Sequence, residues 1–73
     1  MGKARNQKLL KKIALRIKTL REGKEITQEV FYNDTGINIG RIELAKRDIS
    51  MTTLKSICDY LEVTLTDFFK GIK

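Results

Sequence analysis

The stretch Asn33-Asp-Thr-Gly-Ile-Asn-Ile-Gly-Arg-Ile-Glu43 decides how this 73-residue chain is read. It opens on turn-forming residues and closes on alternating apolar and charged positions that suit a helix. Two glycines, Gly36 and Gly40, lie inside it, although each weakens a helix by about 1 kcal/mol relative to alanine. One reading puts both on one face of a helix, where the backbone can approach another surface. The other has Gly36 complete a turn while Gly40 permits tight packing against the preceding helix. The expected element is a helix over about 35–44, with Thr35 as N-cap and Ile39 and Ile42 on its core side.

Upstream, Leu10, Ile13, Ile17 and Leu20 recur at three- and four-residue spacing with lysine and arginine opposite. That pattern predicts an amphipathic helix over about 8–22, with Gly23 as its C-cap. Leu9 and Leu15 fall off the stripe. Thr27 is placed to cap a short second helix ending near Asn33 and Asp34, with Glu29 in its first turn. Downstream, Ser50 caps a fourth helix from Met51 to about Leu61, whose apolar face is Leu54, Ile57, Cys58 and Leu61. Thr64 and Asp67 form a variant capping box that leads Phe68 and Phe69 into a fifth helix. Phe68, Phe69 and Ile72 suit either the core or a dimer surface. The fold expected is all-α, with five helices in a domain over 8–73 behind a flexible basic arm, 1–7.

The charge is unevenly placed. Residues 1–24 hold nine basic side chains against Glu22 alone, whereas residues 25–73 hold six basic and eight acidic ones. A localised basic face is the footprint of a polyanion binder, although a solvated lysine-rich surface looks the same. Histidine is absent and Cys58 is the only cysteine. Zinc sites and histidine-dependent nucleophile arrangements therefore cannot be built, and Cys58 suits a buried structural thiol. No P-loop follows either glycine, and no cofactor or metal is expected. A chain of this length has little room for a substrate pocket, so an enzyme is not expected. With no long apolar run and no signal-peptide pattern, the expected location is cytoplasmic and away from membranes.

The order and spacing of several short pieces resemble the lambda-repressor-like helix-turn-helix domains of the XRE family. The pieces are R-I-K-T-L-R (16–21), T-Q-E (27–29), I-G-R-I-E (39–43), K-R (46–47), S-M-T-T-L (50–54) and L-E-V-T-L-T-D-F-F (61–69), covering roughly residues 10–70. Two departures stand out. The interval from T-Q-E to the R-I-E glutamate is a few residues shorter than in the family. Placing that shortening at 33–35 keeps the third helix long, whereas matching Gly36 to the family's turn glycine costs the helix nearly a turn. The first placement is preferred here. The second departure is Leu44-Ala45, where the family commonly has a polar residue and a glycine.

The resemblance implies a third helix lying in the DNA major groove, its N-terminal residues at base edges. Arg41 becomes the leading base reader, since its guanidinium can donate two hydrogen bonds to a guanine. Thr35, Gly36, Ile37 and Asn38 are the other candidate base contacts. Gln28, at the start of the second helix, and Lys46 and Arg47, after the third, are the candidate phosphate contacts. Arg21 and Glu43 are expected to form a structural ion pair tying the first helix to the third. The expected function is a sequence-specific double-stranded DNA-binding regulator of transcription, a repressor acting as a homodimer. The rival is a helical protein-interaction module with no sequence-specific DNA binding.

Overall fold

Helix α1, Gln7–Gly23, is held at its head by Asn6, whose side chain accepts from the Leu9 N–H. Its apolar stripe turns inward as the spacing predicts, with Leu10, Ile13, Ala14 and Ile17 buried. The helix runs one residue further at each end than expected, so Gly23 is its last residue and Lys24 the cap. The turn out of it passes through Glu25 in a left-handed conformation. The computed structural model describes residues 6–72, so most of the expected basic arm, residues 1–5, lies outside the described residues.

Four more helices follow among the described residues: α2 Gln28–Thr35, α3 Ile39–Glu43, α4 Met51–Tyr60 and α5 Leu65–Lys70. Their N-caps use one device. The side chains of Thr27, Asn38, Ser50 and Thr64 each accept from a backbone N–H three residues on, satisfying a donor the helix cannot. Phe31, Ile39, Leu54, Ile57, Cys58, Leu61 and Phe68 meet the α1 stripe in one core. A second small cluster joins Leu10 and Ala14 of α1 to Ala45, with Ile49 against it.

The expected third helix is corrected. Thr35 does not cap α3 but ends α2, and α3 starts four residues later at Ile39. Two local facts explain this. The Thr35 hydroxyl donates to the Phe31 carbonyl and accepts from the Ile37 N–H, which keeps Thr35 on α2. Gly36 then takes φ +76° as the C-cap of α2, a left-handed conformation that glycine adopts without steric cost. The chain thus follows the alternative that matches Gly36 to a turn glycine and leaves α3 short. Gly36 and Gly40 do not share a helix.

Beyond α3, Ala45 also has positive φ, +58°, though it is not a glycine. Such a conformation costs an alanine roughly 1–2 kcal/mol. Burial of its methyl group against Leu10 and Ala14 offsets part of this. Its carbonyl accepts from the Gln7 side chain at 2.8 Å, which fastens the start of α1 to the end of α3. At the other end of the fold, Phe68 is fully buried while Phe69 is 38% exposed and Ile72 packs half-buried on the core.

Candidate nucleic-acid interface

Glu43, the last residue of α3, fixes the geometry of this region. Its carboxylate accepts from Arg21 Nε at 2.7 Å and Arg21 Nη2 at 3.1 Å, and from Gln28 Nε2 at 3.0 Å. One carboxylate therefore joins α1, α2 and α3. Arg21 places its remaining terminal nitrogen on the Ile26 carbonyl at 2.7 Å, so the guanidinium is satisfied on every side. The hydrogen bond to Glu43, stronger than the opposing effect of burial, holds the Arg21 guanidinium more firmly protonated than usual.

Gln28 reaches Glu43 by crossing over Gly40. A Cβ on Gly40 would stand 2.9 Å from Gln28 Oε1 and 3.5 Å from Asn38 Oδ1, the former closer than real Cβ atoms come. Gly40 is therefore the floor on which the Gln28 and Asn38 side chains lie. Of the two sequence readings, tight packing against helix two is the one this geometry shows for Gly40. Asn38 is exposed and its Oδ1 accepts from the Arg41 N–H at 3.2 Å. Arg41 is exposed, and its guanidinium makes no hydrogen bond or ion pair among the described residues. It differs in this from Arg21 and from Arg16, whose guanidinium donates to the carbonyls of Asp67 and Phe68.

The structure thus brings the Gln28 and Asn38 side chains together over Gly40, with Arg41 exposed on α3 and Lys46 and Arg47 exposed just past it. It does not place Thr35, Gly36 and Ile37 on α3. Ile37 packs half-buried against the core, so it is not turned outward. The base contacts expected of these three residues rested on a helix starting at 35, and that start is overturned. Sequence reasoning passed over Arg16 as a cap for α5, Gln7 as a tie to Ala45, and Tyr32. The first two are long-range contacts spanning 51–52 and 38 positions, which local pattern cannot disclose.

Among the described residues no group of histidine, cysteine and carboxylate side chains could hold a metal ion, and no helix is long and apolar enough to cross a membrane. Burial pushes the Cys58 thiol up from its ordinary pKa, which keeps it in the unreactive protonated form. Comparison with curated proteins and with solved structures finds no match. The family model described as the Cro/C1-type HTH DNA-binding domain matches residues 7–73. That span takes in all five helices and the α2–turn–α3 unit that carries Gln28 and Arg41. The chain belongs to the Cro/C1-type helix-turn-helix DNA-binding family.

Proposed function

We propose that this DNA-binding domain is a sequence-specific transcriptional regulator that presents α3 to the major groove and represses by occupying its operator. The observation that carries the reading is the exposed Arg41 guanidinium, unpaired among the described residues, on a helix tied to α1 through Glu43 and Arg21. A bidentate arginine–guanine contact discriminates by roughly 1–3 kcal/mol, and anchoring α3 lowers the entropy lost on making it. Asn38 can pair with an adenine through its amide while its Oδ1 caps the helix. Gln28 gives one amide hydrogen to Glu43 and keeps the second for a phosphate. Lys46 and Arg47 supply sequence-independent attraction to the backbone.

A five-residue α3 reads few bases. Useful specificity then calls for a homodimer on a two-fold-related site. No effector or catalytic segment is needed for a repressor that works by excluding polymerase from its site in the cytoplasm.

Binding selection from a pool of random duplex DNA tests this. An enriched inverted repeat with half-site centres about one helical turn apart is the expected outcome. Binding that falls steeply with salt but enriches no sequence would reduce the domain to a non-specific binder. Absence of duplex binding at any salt concentration would overturn the reading in favour of a protein-interaction module.

A further inference from the structure

Helix α3 offers the groove few side chains. Of its five residues, Ile39 is fully buried, Ile42 packs against the core, Glu43 is held by Arg21 and Gln28, and Gly40 has none to offer. That leaves Arg41, with Asn38 at the cap. A surface so thin invites the question of what stands next to it.

Tyr32 does. It lies four residues after Gln28 on α2, and residues four apart share one helical face. The Gln28 side chain reaches Glu43 and lies over Gly40, so the face carrying both residues is the one turned towards α3. Helical side chains lean towards the N-terminus of their helix, which carries the Tyr32 ring towards Gln28. The ring is 53% exposed, and its hydroxyl makes no hydrogen bond among the described residues. The contrast with Tyr60 is informative. Tyr60 is half-buried, packs edge-on against Phe31 with ring centres 4.7 Å apart, and donates its hydroxyl to Asp34. One tyrosine is built into the fold and the other is presented to solvent beside the DNA-reading helix.

We infer that Tyr32 is a specificity-determining residue of the interface. Its ring and hydroxyl meet the DNA alongside the base pair read by Arg41, so that α2 supplies part of the readout that α3 is too short to give. A tyrosine suits the task. Its ring can pack on a thymine methyl, its hydroxyl can donate to or accept from a base edge, and few rotatable bonds are frozen in doing so. The inference rests on the reading of α3 as the groove-facing helix.

The experiment is the same binding selection run in parallel on the unaltered protein, Arg41→Ala, Tyr32→Ala and Tyr32→Phe, with a thermal melt of each. Tyr32→Ala is expected to relax preference about tenfold at one position, distinct from the one relaxed by Arg41→Ala. Tyr32→Phe, which keeps the ring, is expected to relax that position less. The melts are expected to change little, since the side chain is half in solvent. If Tyr32→Ala returns the unaltered sequence profile while Arg41→Ala does not, the inference falls and the reading of α3 stands. A uniform loss across all sequences from Tyr32→Ala also overturns it, because that is the signature of a phosphate contact. If the unaltered protein enriches nothing, the underlying reading fails and this inference with it.

Discussion

Arg21 and Glu43 meet in two parallel hydrogen bonds of 2.7 and 3.1 Å, with their side chains only 8% and 7% exposed. Because Glu43 is the last residue of α3 and Arg21 lies in the last turn of α1, the pair sets where α3 stands against α1. Removing one partner of a buried pair leaves the other charge stranded, at about 3–5 kcal/mol. Glu43→Ala is therefore expected to lower the melting temperature by on the order of 15 °C in a domain of this size, whereas Arg41→Ala moves it little. Thermal melts of the two variants by circular dichroism check this, and equal melting temperatures would count against the pairing.

Gly40→Ala separates stability from binding. Alanine favours a helix by about 1 kcal/mol over glycine, but its Cβ would press on the Gln28 amide. The Gln28 side chain can swing away, which breaks its hydrogen bond to Glu43 and moves its amide off Gly40. The expected result is a melting temperature within a few degrees of the original and a several-fold loss of duplex affinity. A fluorescence-anisotropy titration beside a melt measures both, and unchanged affinity would show that the placement of Gln28 is irrelevant to binding.

Arg41 and Lys46 should fail in different ways. Arg41→Ala is expected to lose preference at one base position while keeping most of its salt-dependent, non-specific affinity. Lys46→Ala is expected to weaken binding to all sequences alike and to reduce the slope of log affinity against log salt by about one. Titrations at several salt concentrations, on a selected site and on a scrambled one, tell the two apart.

A pH dependence follows from Tyr60. Its hydrogen bond to Asp34, with smaller contributions from burial and from the Asp34 charge, raises the phenol above its ordinary pKa. The proton is held more tightly in the folded chain than in the unfolded one, whose tyrosines titrate near about 10. The stabilisation is thus complete below about pH 10 and is lost as pH climbs through the raised value. Melting temperature measured from neutral pH into this alkaline range should fall more steeply for the unaltered protein than for Tyr60→Phe. Parallel curves would mean that the bond contributes nothing.

How much of this could be read beforehand depends on the distance over which each signal acts. The α1 stripe, the Thr27, Ser50 and Thr64 caps and the apolar face of α4 are local patterns, and the structure contains them all. The start of α3 is not legible locally, because Thr35 and Asn38 are both residue types that cap helices. The choice between them falls to Gly36, whose left-handed conformation ends α2 and cannot be told from its letter alone. The surface around Gly40 was half legible. Resemblance pointed to Gln28 and Arg41, but the crossing of Gln28 over Gly40 to Glu43 depends on two helices meeting. Nothing in the sequence pattern singles out Tyr32, because its exposure is a tertiary property.

The clasp between Arg16 and the Asp67 and Phe68 carbonyls, 51 and 52 positions away, bears on the timing of assembly during synthesis. Translation runs from the N-terminus, so α1 is made before α5, and the carbonyls that hold its Arg16 emerge 51 and 52 residues after it. The guanidinium lies against Gly71, where even a methyl group would collide with it. A growing chain can therefore form α1 early but cannot lock it against α5 until the segment carrying Asp67 and Phe68 has left the ribosome. Until then Phe68 is missing from the core that α1 helps to form.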